Sequence, residues 1–369
     1  MALGNVIIKD VDGNIPYSGV SGQEKVTGLL FDVSLQPDLF AAGYGKNNES
    51  KLKLGDVLYV TNFKSATKDF GIIERVETTE DDENNINFLH GIPAYHIREF
   101  FRMSGNVDGN GKLYVMFADC SASWDAIDVM QRVAGGTINQ LGVWSEQPLW
   151  KLNGAEEKYN LNIIKTLNGK AVAMADQHQP LSVILSANPS NTGSTTSEGK
   201  QINLNKIPTA ICESSRISVI FGQARSSKIL MMQKRNANNT PVGFIGAMLG
   251  AIARANVQES VAWVKMFNLF DDEFQDIELG FGDINLTAED EFVSLNMYES
   301  LSPVLLDDLD EKGYIFPMKY AGRENGIYIS KDQTCSVGDY RTIARNRTIN
   351  KSRRAVRAAL LPYVNSPLM

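Results

Sequence analysis

The stretch LYVMFADCSASWDAIDVMQRVAGGTINQLGVW, residues 113–144, decides the fold class of this sequence. Residues 113–118 and 138–144 are short, largely apolar runs with β-branched and aromatic side chains, which is typical of buried strands. Residues 124–133 lie between them and carry apolar side chains at helical spacing. A strand, a helix and a second strand in this order predict an α/β layer with a largely parallel sheet.

Segments of the same kind lie on both sides of this unit. The predicted strands cover residues 26–33, 57–63, 181–187 and 217–223, and the predicted helices cover residues 93–103, 155–175 and 242–264. The last of these helices is apolar almost all round, and its glycines Gly243, Gly246 and Gly250 would let another element approach closely. We therefore predict that residues 242–264 form a buried helix.

The pattern changes after residue 265. Acidic, loop-rich sequence is followed by short strands near residues 315–320 and 326–330 and by a long helix over 339–364, with Asp339 as its N-cap. The predicted fold class is α/β and α+β with several domains: a mixed-sheet α/β body and a smaller C-terminal α+β domain with a long terminal helix. The predicted divisions are an extended arm over residues 1–22, the body over 23–265 and the second domain over 266–369.

Composition bounds the class of protein. The chain has 369 residues, of which 43% are hydrophobic and 21% charged, as in ordinary globular proteins of more than one domain. The net charge of -7 argues against nucleic acid as the main partner. That charge is uneven, because residues 339–369 hold seven basic residues and one acid, whereas residues 266–311 hold fourteen acids and no base.

Targeting and redox signals are few. Cys120, Cys212 and Cys335 stand far apart without a CxxC pair, which fits a reducing compartment better than a disulfide framework. The N-terminus lacks the pattern of a signal peptide, and the longest apolar run, residues 242–253, is too short to cross a bilayer. We expect a chain that folds in the cytoplasm without a membrane span.

Motifs for catalysis, cofactors or metals are not recognisable. His90, His96 and His178 lack metal-ligand spacing, and we expect His96 to be a packed or surface histidine on the helix over 93–103. The sequence contains neither a GxxxxGK[ST] phosphate loop nor a GxSxG nucleophile elbow. We predict no catalytic, cofactor or metal site, although an α/β enzyme with an unrecognised site stays open.

The terminal helix carries a broad cationic face. Apolar residues Ile349, Val356 and Leu360 cluster on one side, which predicts a narrow core stripe. The basic residues spread over the other side and are Arg347, Lys351, Arg353, Arg354 and Arg357. Three interpretations remain: a solvated surface, a nucleic-acid contact that lacks interleaved aromatics, and docking against an acidic protein surface.

The N-terminal arm contains a short apolar run, Val6, Ile7 and Ile8, followed by Gly-, Ser- and Pro-containing turns. An apolar strand needs a partner sheet. It is either the first strand of its own domain or a strand donated to a neighbouring molecule.

An ordered set of short segments resembles the contractile tail sheath proteins of bacteriophages and related injection machines, particularly the sheath-like group of Bacteroidetes prophages. No single segment is specific, but together they span most of the chain. They are residues 26–30 (VTGLL), 69–71 (DFG), 99–101 (EFF), 105–111, 112–115 (KLYV), 313–315 (GYI), 326–328 (GIY), Asp332 with Thr334, Asp339-Tyr340, 345–347 (RNR), and Lys351 with Arg353-Arg354.

The resemblance implies a structural subunit and not an enzyme. Sheath subunits form stacked six-membered rings around an inner tube and contract while arms keep them linked, so body and second domain would be outer and inner. The resemblance implies as partners other copies of the chain, an acidic inner tube, and baseplate and tail-terminator proteins. Val6, Ile7 and Ile8 would be an inter-subunit arm, and Arg347, Lys351, Arg353, Arg354 and Arg357 would face the tube.

The implied location is a virion tail or injection particle assembled in the bacterial cytoplasm. Sheath subunits usually continue past this helix into a C-terminal arm. Only residues 362–369 remain here, at the end of the predicted helix and beyond it, so we expect either a short arm or a truncated chain. The alternatives are another structural component of such particles, for example a tube or adaptor protein, and the α/β enzyme.

Overall fold

The structure, a computed structural model, describes residues 25–35, 52–72, 91–105, 112–152, 159–188, 208–225, 229, 232, 242–270, 278–280, 284–288, 291–295, 303–322 and 326–364. The predicted arm with Val6, Ile7 and Ile8 lies outside the described residues.

The strands that the structure describes are β1 Val26–Asp32, β2 Val57–Val60, β3 Lys112–Ala118, β4 Gln140–Pro148, β5 Lys151–Leu152, β6 Tyr159–Asn160, β7 Ser182–Asn188, β8 Ile217–Ile220, β9 Gln223–Arg225, β10 Glu278–Gly280, β11 Ile284–Ala288, β12 Glu291–Leu295, β13 Tyr314–Ile315, β14 Pro317–Met318 and β15 Tyr328–Ile329. The helices are α1 Phe63–Phe70, α2 Gly91–Ser104, α3 Ala126–Val133, α4 Asn162–Asp176, α5 Ile245–Arg254, α6 Pro303–Glu311 and α7 Ile343–Leu360.

Seven strands form one mixed sheet in the order β13-β8-β7-β4-β1-β3-β2. Neighbouring strands are parallel, except that β2 pairs antiparallel with β3 at the edge. Leu29 of the central strand β1 aligns with Val115 on one side and Gly142 on the other. The predicted α/β class with a largely parallel sheet is confirmed. The other pairs are β5–β6, β9–β10, β11–β12 and β14–β15.

Helices cover both faces of the sheet. Successive residues of β1 point to opposite faces, so Leu29 and Phe31 join the core under α1, α2 and α5, whereas Leu30 joins the core under α3, α4 and α6. Both cores are apolar, and every residue of β1 is buried. This three-layer arrangement explains why the strand runs are apolar on both sides.

The α2–α5 contact depends on the glycines that the sequence singled out. A Cβ atom at Gly246 would lie 2.1 Å from the carbonyl oxygen of His96, and one at Gly250 would lie 2.5 Å from that of Phe100. Because the obstructing atoms belong to the backbone, only glycine permits this approach. The predicted close packing of the helix is therefore confirmed.

His96 is a packed histidine of this contact. Its Nε2 donates to the carbonyl of Val242 at 2.8 Å, and its Nδ1 accepts from the backbone N–H of Gly246 at 3.3 Å. Complete burial lowers the pKa of His96 to about 3, which outweighs the opposite effect of the hydrogen bond to Val242. The ring is therefore neutral at physiological pH and acts as a connector between α2 and α5.

Several predicted helix boundaries were wrong. The helix expected over 242–264 ends at Arg254, since Ala255 has extended backbone with ψ 140°, and turns follow. The helix expected over 155–175 begins at Asn162. Helix α1 was not predicted, although Asn62 and Ser65 form a reciprocal capping box at its start.

The predicted division near residue 265 is crossed by the large sheet. Strand β13, from the predicted second domain, pairs parallel with β8 of the body, aligning Tyr314 with Val219. Tyr314 is completely buried between them, and its ring lies edge-on to Phe221, 5.6 Å away. The two predicted parts therefore share one hydrophobic core at this edge.

Candidate interaction surface on the C-terminal helix

The start of α7 is fixed by two side chains. The hydroxyl of Thr342 caps the helix by accepting from the backbone N–H of Arg345 at 3.2 Å. The carboxylate of Asp332 accepts from the backbone N–H of Ala344, also at 3.2 Å. The predicted N-cap, Asp339, was wrong, because it lies in a separate 3-10 turn before the helix.

Burial of Asp332 has an electrostatic consequence. Desolvation raises its pKa from 3.8 to about 6, although the hydrogen bond from Ala344 and the nearby charge of Arg347 act in the opposite direction. The carboxyl group therefore titrates close to neutral pH while it holds the first turn of α7.

The buried face of α7 is formed by Ile343, Arg347 and Asn350, which follow one another at helical spacing. The predicted core stripe was wrong, because Val356 is 36% exposed and Leu360 is 46% exposed. The helix is thus turned by about 120° from the predicted orientation. The reason is that polar side chains on this face find partners in the body, which an apolar-stripe argument does not anticipate.

Arg347 makes the main contact of this face. Its side chain is only 3% exposed, and its guanidinium donates to the carbonyls of Ala255 at 3.0 Å and Asn256 at 3.2 Å. These carbonyls follow the last turn of α5, where helices leave acceptors without intrahelical partners and favour positive charge. Arg347 departs from the predicted tube-facing set, because its charged group is directed into the protein.

The other four predicted contact residues, Lys351, Arg353, Arg354 and Arg357, are half-buried along the rest of α7. One guanidinium nitrogen of Arg354 donates to the carbonyl of Pro180 at 3.3 Å. Burial lowers the pKa of Arg353. The structure therefore places these four residues on one helix, but Arg353 and Arg354 face the edge of the body.

Two exposed arginines were not part of the predicted set. Arg341 and Arg345 lie at the start of α7, where both are exposed. Arg345 lies 3.6 Å from a carboxylate oxygen of Asp339, and its guanidinium lies over the ring of Tyr340, 5.4 Å from the centroid. The sequence could have indicated their exposure, because both residues lie at the start of the predicted helix.

An apolar surface lies at the other end of α7. Leu360 and Leu361 are nearly half exposed, and Tyr363 is 72% exposed. Large apolar side chains grouped in this way are typical of contact surfaces.

Sequence reasoning also missed a buried carboxylate at the carboxyl edge of the sheet. Asp32, at the end of β1, accepts from the backbone N–H groups of Ser34 and Cys120, both at 3.1 Å. It also accepts from the hydroxyl of Ser145 at 2.6 Å and the amide of Gln147 at 2.7 Å. Ligands of α/β proteins often bind at this edge. Here four donors occupy the carboxylate, so Asp32 joins the residues that follow β1 and β3 to the carboxyl end of β4.

Among the described residues, no group of three or more His, Cys, Asp or Glu side chains could hold a metal ion. None of the helices in this part of the chain combines the length and apolarity needed to cross a membrane.

Three solved structures are similar to this chain over nearly all its length. The anti-feeding prophage (AFP) baseplate matches with 13% identity and a TM-score of 0.48, covering 100% of this chain and 78% of that chain. The AFP helical sheath in its contracted state matches with 13% identity and a TM-score of 0.49, covering 98% and 79%. The contracted PVC sheath complex, from an extracellular contractile injection system, matches with 10% identity and a TM-score of 0.49, covering 100% and 77%.

The protein is thus an α/β protein with a seven-stranded mixed sheet, and polar contacts hold its terminal helix α7 against the rest of the fold. No curated protein matches the sequence. The chain belongs to the DUF2586 family, since the model of the DUF2586 N-terminal domain matches residues 137–333, more than half of its length.

Proposed function

We propose that this chain is a structural sheath subunit of a contractile phage tail or related injection machine, and that it has no catalytic step of its own. The observation that carries the proposal is the position of the sheath-like segments in the fold. Residues 26–30 and 112–115 lie in the adjacent central strands β1 and β3, residues 99–101 lie in α2, and residues 345–354 lie in α7. These parts of the resemblance therefore lie in the strands and helices that form the framework of the fold.

In this proposal the chain polymerises with copies of itself as stacked rings around an inner tube. The rings would also meet baseplate and tail-terminator proteins, in a particle assembled in the bacterial cytoplasm. The energy of contraction would come from better packing between subunits and not from nucleotide hydrolysis. The division into an outer body (23–265) and an inner domain (266–369) belongs to the proposal, with β13 as the strand that joins them.

The cationic surface would guide assembly on an acidic tube. Arg347 is excluded from this surface by its burial. Lys351 and Arg357, which are half-buried, are the two members that do not line the cleft beside Pro180 or the cleft next to it. Solvated ion pairs contribute individually about 0–1 kcal/mol, so they would guide register when repeated around a ring and still separate during contraction.

A double charge reversal tests this surface. Lys351→Glu with Arg357→Glu should reduce the amount of sheath that co-sediments with tubes of the co-expressed tube protein. The matched control is Lys64→Glu with Lys68→Glu, an equal charge change on exposed residues of the helix α1. Equal co-sedimentation of both variants and the wild type would remove the tube contact from the proposal.

The N-terminal arm would link neighbouring subunits. Val6, Ile7 and Ile8 would add a strand to a neighbour's sheet, where backbone hydrogen bonds supply affinity, and the Gly-, Ser- and Pro-containing residues 12–22 would act as a connector. Deletion of residues 1–22 should leave a folded body that sediments as a monomer. Polymers of normal size from this deletion would contradict the role of the arm.

A further inference from the structure

A cleft lies where α7 meets the amino ends of two parallel strands. It has a volume of about 130 Å³ and opens between the end of α4, Pro180 before β7, and Arg216 directly before β8. Its ionisable lining consists of Arg216, Arg353, Arg354, Asp176 and His178. Residues from three elements that are far apart in the sequence therefore meet at one opening.

The charge of this cleft is positive. Three guanidinium groups face one carboxylate, that of Asp176, which is exposed and therefore largely screened by water. The carboxyl end of α4 adds only a partial negative charge. The balance favours an anion in the opening.

Burial makes an anion more favourable still. Desolvation lowers the pKa of Arg216 and of Arg353, and the charge of Asp176 counteracts only part of this effect at Arg216. A guanidinium carries five N–H donors, so it can donate charge-assisted hydrogen bonds to an oxyanion in addition to the acceptors that it already has. Guanidinium groups present paired donors, a geometry that matches phosphate and sulfate oxygens.

The size and surroundings of the cleft also fit a small oxyanion. About 10–15 Å³ is enough for one water molecule, so 130 Å³ accommodates an anion with part of its hydration. A second cleft of about 280 Å³ shares Arg216 and Arg353 and adds the polar side chains of Ser215 and Asn350. The two clefts therefore adjoin at Arg216 and Arg353.

We propose that this cleft binds a tetrahedral oxyanion of the phosphate or sulfate class, held by Arg216, Arg353 and Arg354. The anion connects α7 to the starts of β7 and β8 and stabilises the contact between the terminal helix and the sheet. The inference is independent of the proposed sheath function, since it concerns the single chain.

Thermal unfolding in sodium phosphate tests the proposal, with sodium chloride at equal ionic strength and sodium acetate as comparisons. At ten times the dissociation constant, phosphate or sulfate should raise the melting temperature by about 2 °C above the chloride value, and the rise should saturate. Isothermal titration calorimetry with phosphate should give one site per chain. An equal rise with chloride, or an equal rise with acetate, would overturn the assignment to a tetrahedral oxyanion.

Variants locate the site. Arg353→Gln and Arg216→Gln should each abolish the phosphate-specific rise and reduce phosphate affinity at least tenfold. Arg357→Gln, on the same helix but not in the lining of either cleft, should keep both. The two glutamine variants change different elements, so a folding defect in one leaves the other as the test. Unchanged phosphate binding in a folded Arg353→Gln or Arg216→Gln protein would contradict the proposal.

Discussion

Replacing Arg347 with methionine should lower the free energy of unfolding by about 3–5 kcal/mol. The guanidinium donates to the buried carbonyl of Ala255 at 3.0 Å and to the partly buried carbonyl of Asn256 at 3.2 Å, and hydrogen bonds from charged groups contribute about 1.5–3 kcal/mol each. Methionine keeps the apolar stem of the side chain but donates nothing, so both carbonyls lose their charged partner. Asp332 loses a neighbouring positive charge as well.

Urea unfolding followed by circular dichroism measures this loss, provided that the slope of the unfolding free energy against urea concentration is the same in the variant and the wild type. Arg345→Met is the matched control on the same helix, because Arg345 is exposed and makes a surface ion pair with Asp339 and a contact with the ring of Tyr340. Its effect should stay within about 1 kcal/mol. Equal losses for the two variants, or a wild-type free energy for Arg347→Met, would refute the inward role of Arg347.

Three further predictions concern other parts of the same framework. The folded pKa of Asp332, about 6, lies above its ordinary 3.8, so this group contributes stability at low pH that is lost as the pH rises through 6. Wild-type protein should therefore gain about 1 kcal/mol from this group between pH 7 and pH 5, and Asp332→Asn should lack the gain in urea unfolding at both pH values. Gly246→Ala should destabilise the protein by about 1–3 kcal/mol, because the added Cβ atom would collide with the carbonyl oxygen of His96 in the α2–α5 contact. A wild-type melting temperature for this variant would contradict the close packing of the two helices. The three cysteine thiols, whose pKa values are all raised by burial, should react with a thiol reagent at pH 7.5 only after unfolding, and rapid labelling of the native protein would contradict their placement.

Much of the sheet could be predicted from the sequence because its strands are buried on both faces. Strands such as β1 and β3 are continuous apolar runs, and turn residues or helices separate them, so the hydrophobic pattern alone locates them within one or two residues. The glycines of α5 were also informative, since three of them in an apolar helix indicate a close neighbour. Their neighbour, α2, is more than a hundred residues away and could not be named from the pattern.

The buried face of α7 could not be predicted from the hydrophobic pattern. Amphipathicity arguments assign the apolar side of a helix to the core, but here Arg347 and Asn350 are buried while Leu360 is exposed. Arg347 is buried because distant carbonyls at the end of α5 accept its hydrogen bonds, and α5 itself ends ten residues before the predicted limit. This contact depends on the end of α5, which the apolar pattern placed ten residues too late. The wrong end of α5 and the wrong buried face of α7 therefore have one cause.

The arginine-lined cleft has a similar origin. Arg216, Arg353 and Arg354 meet because β7, β8 and α7 converge, and the sequence showed only a cationic helix and a lone arginine before a strand. Charge patterning identified the helix as important, whereas the tertiary structure decides which charges face outward.

Negative-stain electron microscopy of the purified full-length chain, over a series of salt and protein concentrations, tests the proposed function most directly. A sheath subunit should form rings with six-fold class averages or tubes built from stacked rings. A protein that stays a uniform monomer under all these conditions would contradict the account.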